Sequence, residues 1–117
     1  MEVVFVDWSL GAALKLGWNP YDTPASNVRS IAAAVTDFFT RNVAFNRTKT
    51  HCIGFSLGSH VCGFTGKRLR DVGFQRWTRI TALDPAWPQF DTDNIWARVD
   101  RSDGDFVDAI HSKKSTL

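Results

Sequence analysis

Short apolar runs alternate with amphipathic stretches along this chain of 117 residues. Residues 3–6 are continuously β-branched or aromatic, which is typical of a strand buried on both faces. From Pro24 onward the apolar residues Val28, Ile31, Val35 and Phe38 recur at spacings of three and four, which predicts a helix to about residue 42 with one core-facing stripe. Apolar runs that end at Ile53 or span 79–83 and 106–110 predict three further strands.

A second helix is expected over residues 57–70, with Gly73 as its stop. Its glycines Gly58, Gly63 and Gly66 are expected to permit close packing on the sheet. Strands and helices thus alternate, which predicts an α/β fold with a mostly parallel sheet flanked by helices. Neither a repeat nor a low-complexity tract interrupts this order, so residues 1–117 are expected to belong to one domain. At 44% hydrophobic residues, the chain is long enough for one small core.

A serine lies where the second predicted strand meets the second helix, within Gly54-Phe55-Ser56-Leu57-Gly58. Glycines two before and two after a serine let the chain turn sharply and lift the hydroxyl clear of the backbone. The N-terminus of the following helix would present the Leu57 N–H to a developing oxyanion. This pattern predicts a nucleophile, and the alternative is an ordinary strand–turn–helix with a small residue at the bend.

Asp84 directly follows the third predicted strand, and Pro85 ends that strand. Catalytic residues of open α/β sheets collect at this carboxyl edge, where a carboxylate could orient an imidazole base for Ser56. An aspartate before proline is also a common turn residue. The order of serine, helix, strand and then aspartate favours the catalytic interpretation.

The charge and hydropathy of the chain argue against two classes of function. A net charge of +2 is too small to indicate nucleic-acid binding. The five basic residues from Lys67 to Arg79 are expected at the solvated end of a helix. Transmembrane helices need roughly 18 consecutive apolar residues, and no run approaches that length.

Features that bear on the cellular compartment are few and point outward. Asn46-Arg47-Thr48 is an N-glycosylation sequon in a polar connection, so Asn46 is a candidate glycosylation site. The first residues lack the basic, apolar and small-residue regions of a signal peptide. Cys52 and Cys62, before and after the serine turn, are expected to be buried thiols rather than a disulfide.

Four segments together resemble the pancreatic-lipase-like lipases and phospholipases A1. They are residues 6–8 (VDW), 53–61 (IGFSLGSHV), 83–86 (LDPA) and 106–111 (FVDAIH), in the family's order along nearly the whole chain. The resemblance implies a secreted α/β-hydrolase that cleaves glycerolipid esters at a lipid–water interface, with no cofactor for the chemistry. It implies Ser56 as nucleophile, Asp84 as triad acid and the Leu57 N–H as an oxyanion donor. Phe55 stands where the family often has histidine or another aromatic residue.

The expected general base is missing from this pattern. His111 is the only histidine after Asp84, but the resemblance assigns it to the last strand and implies a catalytic histidine beyond Leu117. His51 and His60 are interpreted as structural. The resemblance also implies a second oxyanion donor, a lid and a C-terminal domain outside these residues. We therefore expect a partial, α/β-hydrolase-type lipase domain, truncated at both ends and inactive by itself.

A different class of function stays open at this point. Some relatives of the family, the yolk proteins, are non-catalytic and have lost the nucleophile, so a lipid-binding or storage protein is the alternative. The intact turn around Ser56 favours the enzyme. A dinucleotide-binding module has less support, because no G-x-G-x-x-G follows a strand.

Residues 95–103 resemble the loop in which some members of the family hold calcium. The resemblance implies backbone carbonyls of Ile95 and Arg98 and carboxylates of Asp100 and Asp103 as ligands. Oxygen ligands on a flexible loop suit calcium, although the spacing does not fit an EF-hand. A solvated acidic turn is the alternative interpretation.

Overall fold

The computed structural model describes residues 1–12, 22–42, 49–87 and 90–112. Within them lie the helices α1 (Ser9–Ala12), α2 (Asp22–Arg41) and α3 (Leu57–Asp71), and the strands β1 (His51–Phe55), β2 (Trp77–Leu83) and β3 (Gly104–Ile110). Two short 3₁₀ turns, Ile95–Ala97 and Arg101–Asp103, precede β3. The strands form a parallel sheet in the order β1-β2-β3. The predicted α/β class, with helices flanking a parallel sheet, is confirmed.

The core lies between the sheet and two helices, with α3 against β1 and β2 and α2 across α3. Apolar side chains from all of these elements share the space, and burying them drives the packing. The buried members include Val28, Ala32, Val35, Val61, Phe64, Leu69, Trp77 and Ile80. None of the described helices combines the length and apolar character needed to cross a membrane.

The predicted apolar stripe of α2 is confirmed at Val28 and Val35, which are buried. Phe38, also assigned to the stripe, is 41% exposed, so that assignment is wrong. Its neighbour Phe39 packs edge-to-face on Trp77, with ring centroids 5.1 Å apart. Phe39 lies four residues beyond Val35, and this spacing keeps it on the core-facing side of the helix.

The two faces of the sheet have different surroundings. Cys52, Ile80 and Val107 form one paired row on the face that the helices cover. On the opposite face, Phe55 and Ile110 remain more than half exposed. Strand side chains alternate between faces, so each strand contributes to both environments.

Residues 3–6 form no strand, and the prediction of one is wrong. The run is exposed, with Phe5 at 90%, and none of its residues pairs with a described strand. An apolar strand of this kind needs a hydrogen-bonded neighbour and cover on both faces, and the described residues supply neither. The strand expected to end at Ile53 continues to Phe55.

The end of α3 follows the prediction, because Gly73 adopts a positive φ of 73°. Its N–H donates to the Arg70 carbonyl at 3.0 Å, and the Phe74 N–H donates to the Leu69 carbonyl at 2.8 Å. These two bonds form a glycine-terminated helix cap that satisfies carbonyls left open at the helix end.

Two predictions about the surface of α3 are wrong. Gly63 and Gly66 were expected against the sheet, but a methyl group on either would collide with Val99 or Asp103. The two glycines therefore leave space for the loop before β3 to pack directly on α3. Lys67, expected in solvent, is only 6% exposed because this loop covers it.

Candidate active site

Ser56 lies between β1 and α3 with φ 54° and ψ −118°, a backbone conformation that a non-glycine residue rarely adopts. Such a conformation costs about 1–3 kcal/mol and persists only where the surroundings enforce it. The Ser56 N–H donates to the Leu83 carbonyl at 2.9 Å, and the Ser56 carbonyl accepts from Ser59 and Ala86. The strained turn is thus held by α3 and by the end of β2.

The two glycines of the serine turn have different roles. A Cβ on Gly54 would overlap the backbone of Gly58, so only glycine allows β1 and α3 to approach this closely. A Cβ on Gly58 would meet nothing within 4 Å. The Ser59 hydroxyl closes the turn by donating to the Gly54 carbonyl at 2.9 Å.

Asp84 directly follows β2 and has a φ of 42°. Its N–H donates to the Ile110 carbonyl at 2.7 Å, which fixes it at the carboxyl edge of the sheet. Since Phe55 pairs with Leu83, Ser56 and Asp84 follow paired residues of neighbouring parallel strands. The structure therefore brings these two residues to the same edge.

Ser112 holds the Asp84 carboxylate, a contact that the sequence analysis missed. The Ser112 N–H donates to Asp84 Oδ1 at 2.6 Å, and its hydroxyl donates to Oδ2 at 2.5 Å. These bonds are the main cause that lowers the pKa of Asp84 below its ordinary value. The only signal in the sequence was the position of Ser112 just after the last predicted strand.

His111 does not lie in a strand, contrary to expectation, because β3 ends at Ile110. Its side chain is exposed at the carboxyl edge, and its charge contributes slightly to the low pKa of Asp84. Among the described residues, no hydrogen bond joins His111 to Ser56 or Asp84. The N–H and the hydroxyl of Ser112, just beyond β3, donate to Asp84 instead.

His60 is buried on α3 and links the serine helix to two loops. Its Nε2 lies 2.8 Å from the Ala86 carbonyl, and its Nδ1 accepts the Val99 N–H at 3.0 Å. The ring stacks on Phe90 at 3.8 Å between centroids. Burial lowers the pKa of His60 to about 4, and nearby Lys67 and Arg98 add to that shift. The histidine is therefore neutral at pH 7 and supports the turn after Asp84.

His51 contacts the sheet rather than the serine turn. Its Nε2 lies 2.8 Å from the Thr81 hydroxyl, which in turn donates to Asp108.

Leu57 is the first residue of α3, so its N–H belongs to the helix N-terminus that follows Ser56. Helix N-termini favour negative charge, so this N–H can stabilise an oxyanion close to Ser56.

The loop with the four expected calcium ligands packs on α3. Ile95 lies in the first 3₁₀ turn, and Asp100 caps the second one, which contains Asp103. Lys67 donates to the Arg98 carbonyl and to both oxygens of Asp103, so it already contacts two of the four expected ligands. The described residues contain no cluster of three or more His, Cys, Asp or Glu side chains able to hold a metal.

Cys52 and Cys62 form a disulfide, so the prediction of two thiols is wrong. The tight turn at Ser56 folds α3 back over β1, and the two Cα atoms come to 5.9 Å apart. This separation lies within the usual range for a disulfide. The turn brings strand and helix closer together than their separate positions in the sequence suggest.

Asn46, the candidate glycosylation site, lies outside the described residues.

The parallel sheet, the covering helix α3 and the serine turn between them define an α/β-hydrolase-type protein. The sequence profile of the family described as Lipase matches residues 1–117, and the chain belongs to that family. It is 38% identical, over 100% of its own length and 23% of the relative's, to inactive pancreatic lipase-related protein 1 of Mus musculus. It is 32% identical to phospholipase A1 of Vespula maculifrons, over 94% of its own length and 39% of the relative's. It is 36% identical to hepatic triacylglycerol lipase of Rattus norvegicus, over 96% of its own length and 22% of the relative's. The chain therefore spans less than two fifths of these relatives.

Proposed function

We propose that this chain contributes the nucleophile and the acid to a carboxylic-ester hydrolase of the lipase or phospholipase A1 type. The observation that carries the proposal is the strained turn at Ser56, which lies at the N-terminus of α3 and is tied by main-chain bonds to the end of the strand that precedes Asp84. A residue held in this rare conformation suggests a functional constraint at that position. The names of the relatives support ester-bond chemistry on lipids.

In the proposed reaction, the Ser56 hydroxyl attacks the ester carbonyl carbon while its proton passes to an imidazole base. The carbonyl oxygen becomes an oxyanion, which the Leu57 N–H stabilises as one of two donors. Collapse of this intermediate breaks the ester bond, and the alcohol leaves with the proton from the imidazolium. Water, activated by the same base, then hydrolyses the acyl group from Ser56 and restores the hydroxyl.

Asp84 orients the base and stabilises the imidazolium. Because Ser112 keeps the carboxyl ionised, Asp84 presents negative charge at neutral pH. We assign the base to a histidine outside residues 1–117, since no described hydrogen bond joins His111 to Ser56 or Asp84, and His51 and His60 are bonded to other groups. The isolated chain is then expected to be inactive.

The proposed setting is extracellular, with glycerolipid esters at a lipid–water interface as substrates. The Cys52–Cys62 disulfide supports this, because disulfides persist mainly in oxidising compartments. Nucleic acid is not a proposed partner, in keeping with the net charge of +2.

A non-catalytic lipid-binding protein is the second candidate, and one relative favours it. The mouse protein that is 38% identical to this chain is named as inactive, so membership of the family does not by itself establish catalysis. The two candidates differ in whether Ser56 is reactive.

The test treats the longest natural form of the protein with a fluorophosphonate ester probe and a short-chain p-nitrophenyl ester. The enzyme proposal predicts labelling at Ser56, with labelling and turnover both abolished by Ser56→Ala. Ser30→Ala, an exposed serine on α2, is the matched control and should change neither. A folded protein that is neither labelled nor active would support the binding protein. Loss of turnover in His111→Gln, with labelling of the 117-residue chain alone, would instead make His111 the base.

A further inference from the structure

The buried ammonium group of Lys67, on α3, contacts the loop that precedes β3. Lys67 Nζ donates to Asp103 Oδ1 at 2.7 Å, to Oδ2 at 2.6 Å and to the Arg98 carbonyl at 2.7 Å. Side-chain exposure is 8% for Lys67 and 0% for Asp103. All three of these acceptors are oxygen atoms, and two of them belong to a carboxylate. The ammonium thus holds the position that a bound cation would take.

The helix surface around Lys67 is shaped for this loop. Gly63 and Gly66 have no side chains, and the backbone of Val99 and Asp103 fills the space that a Cβ would need. This close approach places Asp103 against the Lys67 ammonium, although 36 residues separate them in sequence. The contact therefore depends on three positions of α3 rather than on a chance encounter of two surface groups.

The Asp100 and Asp103 carboxylates also accept hydrogen bonds from within the loop. Asp103 Oδ2 also accepts the Asp100 N–H at 2.7 Å. Asp100 accepts the N–H and hydroxyl of Ser102, and it forms an ion pair with Arg98 at 3.3 Å. Both carboxylates that the calcium expectation requires thus already pair with a positive side chain of this protein.

These contacts do not fit a calcium ion. Calcium takes six to eight oxygen ligands at about 2.3–2.6 Å and would need Asp100, Asp103 and the Arg98 carbonyl to converge on it. Lys67 donates to two of these groups, so a calcium ion would have to displace its buried ammonium from them. A calcium ion and the Lys67 ammonium would share the same oxygen ligands, and two positive charges that close repel each other strongly in a buried site.

We propose that Lys67 acts as a built-in cation in place of calcium, so that the loop before β3 keeps its structure without the ion. The lysine cross-links α3 to the loop through Asp103 and the Arg98 carbonyl. The same loop supplies the Val99 N–H to His60, so the cross-link also supports the helix that begins at Ser56.

The experiment measures thermal unfolding of the longest natural form of the protein in calcium chloride and in chelator, with calorimetric titration of calcium. The native protein should show the same Tm in both and no calcium-binding heat. Lys67→Ala removes the ammonium and leaves room for an ion, so its Tm should fall well below the native value and recover by several degrees in calcium. Arg79→Met, which removes an exposed ion pair, is the control and should show no dependence on calcium.

Two results would overturn the proposal. One is a rise of the native Tm in calcium, which would mean that the ion binds despite Lys67. The other is a Lys67→Ala protein that calcium neither stabilises nor binds, which would mean that the lysine does not stand in a cation position. If Lys67→Ala does not fold, Lys67→Gln, which keeps a good helix former without the charge, is tested in the same way, and the native titration still decides the first point. Since no readout involves turnover, the outcome is independent of the proposed esterase activity.

Discussion

The Ser56 carbonyl accepts a hydrogen bond of 3.2 Å from the Ala86 N–H, across the carboxyl edge of the sheet. The Ser56 N–H donates in turn to the Leu83 carbonyl at 2.9 Å. Asp84 lies between these two partners, so the main chain alone aligns the proposed nucleophile with the proposed acid. The turn does not depend on the Asp84 side chain, whose carboxylate accepts hydrogen bonds from Ser112 instead.

Asp84→Asn should therefore leave the fold intact and disable the reaction. The asparagine would favour the wrong orientation of the base, and the equivalent change in a serine protease lowers turnover by about 10⁴. The measurement is p-nitrophenyl ester hydrolysis together with thermal unfolding. A large loss of Tm would show that Asp84 is a structural turn residue, and unchanged turnover would exclude it as the triad acid.

Ser112→Ala should have a smaller effect with a distinct dependence on pH. It removes the hydroxyl bond to Oδ2 but keeps the backbone N–H bond to Oδ1. The bond is exposed and therefore screened by solvent, so turnover should fall by much less than in Asp84→Asn. Ser112 lowers the pKa of Asp84, which keeps the carboxylate ionised as pH falls. In Ser112→Ala the loss of one bond raises the pKa of Asp84. As the pH is lowered, the variant should therefore lose activity at a higher pH than the native protein does.

The control for Ser112 is Ser102→Ala, which removes a similar hydroxyl bond to Asp100 away from the catalytic edge. It should leave the acid side of the profile unchanged. If Ser112→Ala lowers turnover at every pH without moving the acid side, Ser112 only supports the loop.

Alanine substitutions at the two glycines of the serine turn should give opposite results. Gly54→Ala would force Cβ into the backbone of Gly58, and overpacking of this kind costs about 1–3 kcal/mol or more. Gly58→Ala meets open space at the start of α3, where alanine is a better helix former by about 0.5–1 kcal/mol. Urea unfolding of both variants distinguishes them. Equal destabilisation would mean that the turn requires both glycines.

The parts of the site that the sequence predicted are local. Ser56 and Asp84 were found because each lies at the end of a strand whose apolar run and flanking residues are contiguous in sequence. Gly73 was recognised as a helix stop for the same reason. The roles of these residues as nucleophile and acid remain predictions that the experiments above address.

The contacts that the sequence did not predict join distant positions. Ser112 reaches Asp84 from the end of the neighbouring strand, and Asp103 covers Lys67 from 36 residues away. A basic residue near a helix end is usually solvated, so only the folded loop reveals that Lys67 is buried. The prediction of a strand at residues 3–6 was wrong because an apolar pattern specifies a strand only where a neighbouring strand pairs with it.

Removing the Cys52–Cys62 disulfide should weaken the fold without changing its topology. A closed loop of about ten residues contributes roughly 2–3 kcal/mol, mainly by restricting the unfolded chain. The Cys52→Ala, Cys62→Ala double variant should be destabilised by this amount, and reductant should lower the Tm of the native protein but not of the variant. If the denatured native protein exposes two reactive thiols without reductant, the disulfide does not form.

His60 should make the fold less stable in mild acid. Its Nδ1 accepts the Val99 N–H, so a proton on that nitrogen would set two donors against each other in a buried site. Burial lowers the pKa of His60 from 6.5 to about 4, and the charges of Lys67 and Arg98 oppose protonation further. The unfolded chain therefore binds more protons than the folded one between these values. Stability should fall as pH drops from about 6.5 towards 4, by up to about 3 kcal/mol from this residue.

Urea unfolding at several pH values, compared between the native protein and His60→Gln, isolates the contribution of this histidine from that of the carboxyl groups. The glutamine variant should be less stable at pH 7, since it loses the stacking on Phe90, but its stability should depend less on pH below 6.5. His51→Gln is the matched control, because His51 is exposed and contacts only the sheet, and it should keep the native dependence. Identical slopes for the native and His60→Gln proteins would show that His60 is not held neutral by the fold. The link between the Asp84 turn and the loop at Val99 would then not depend on the neutral ring.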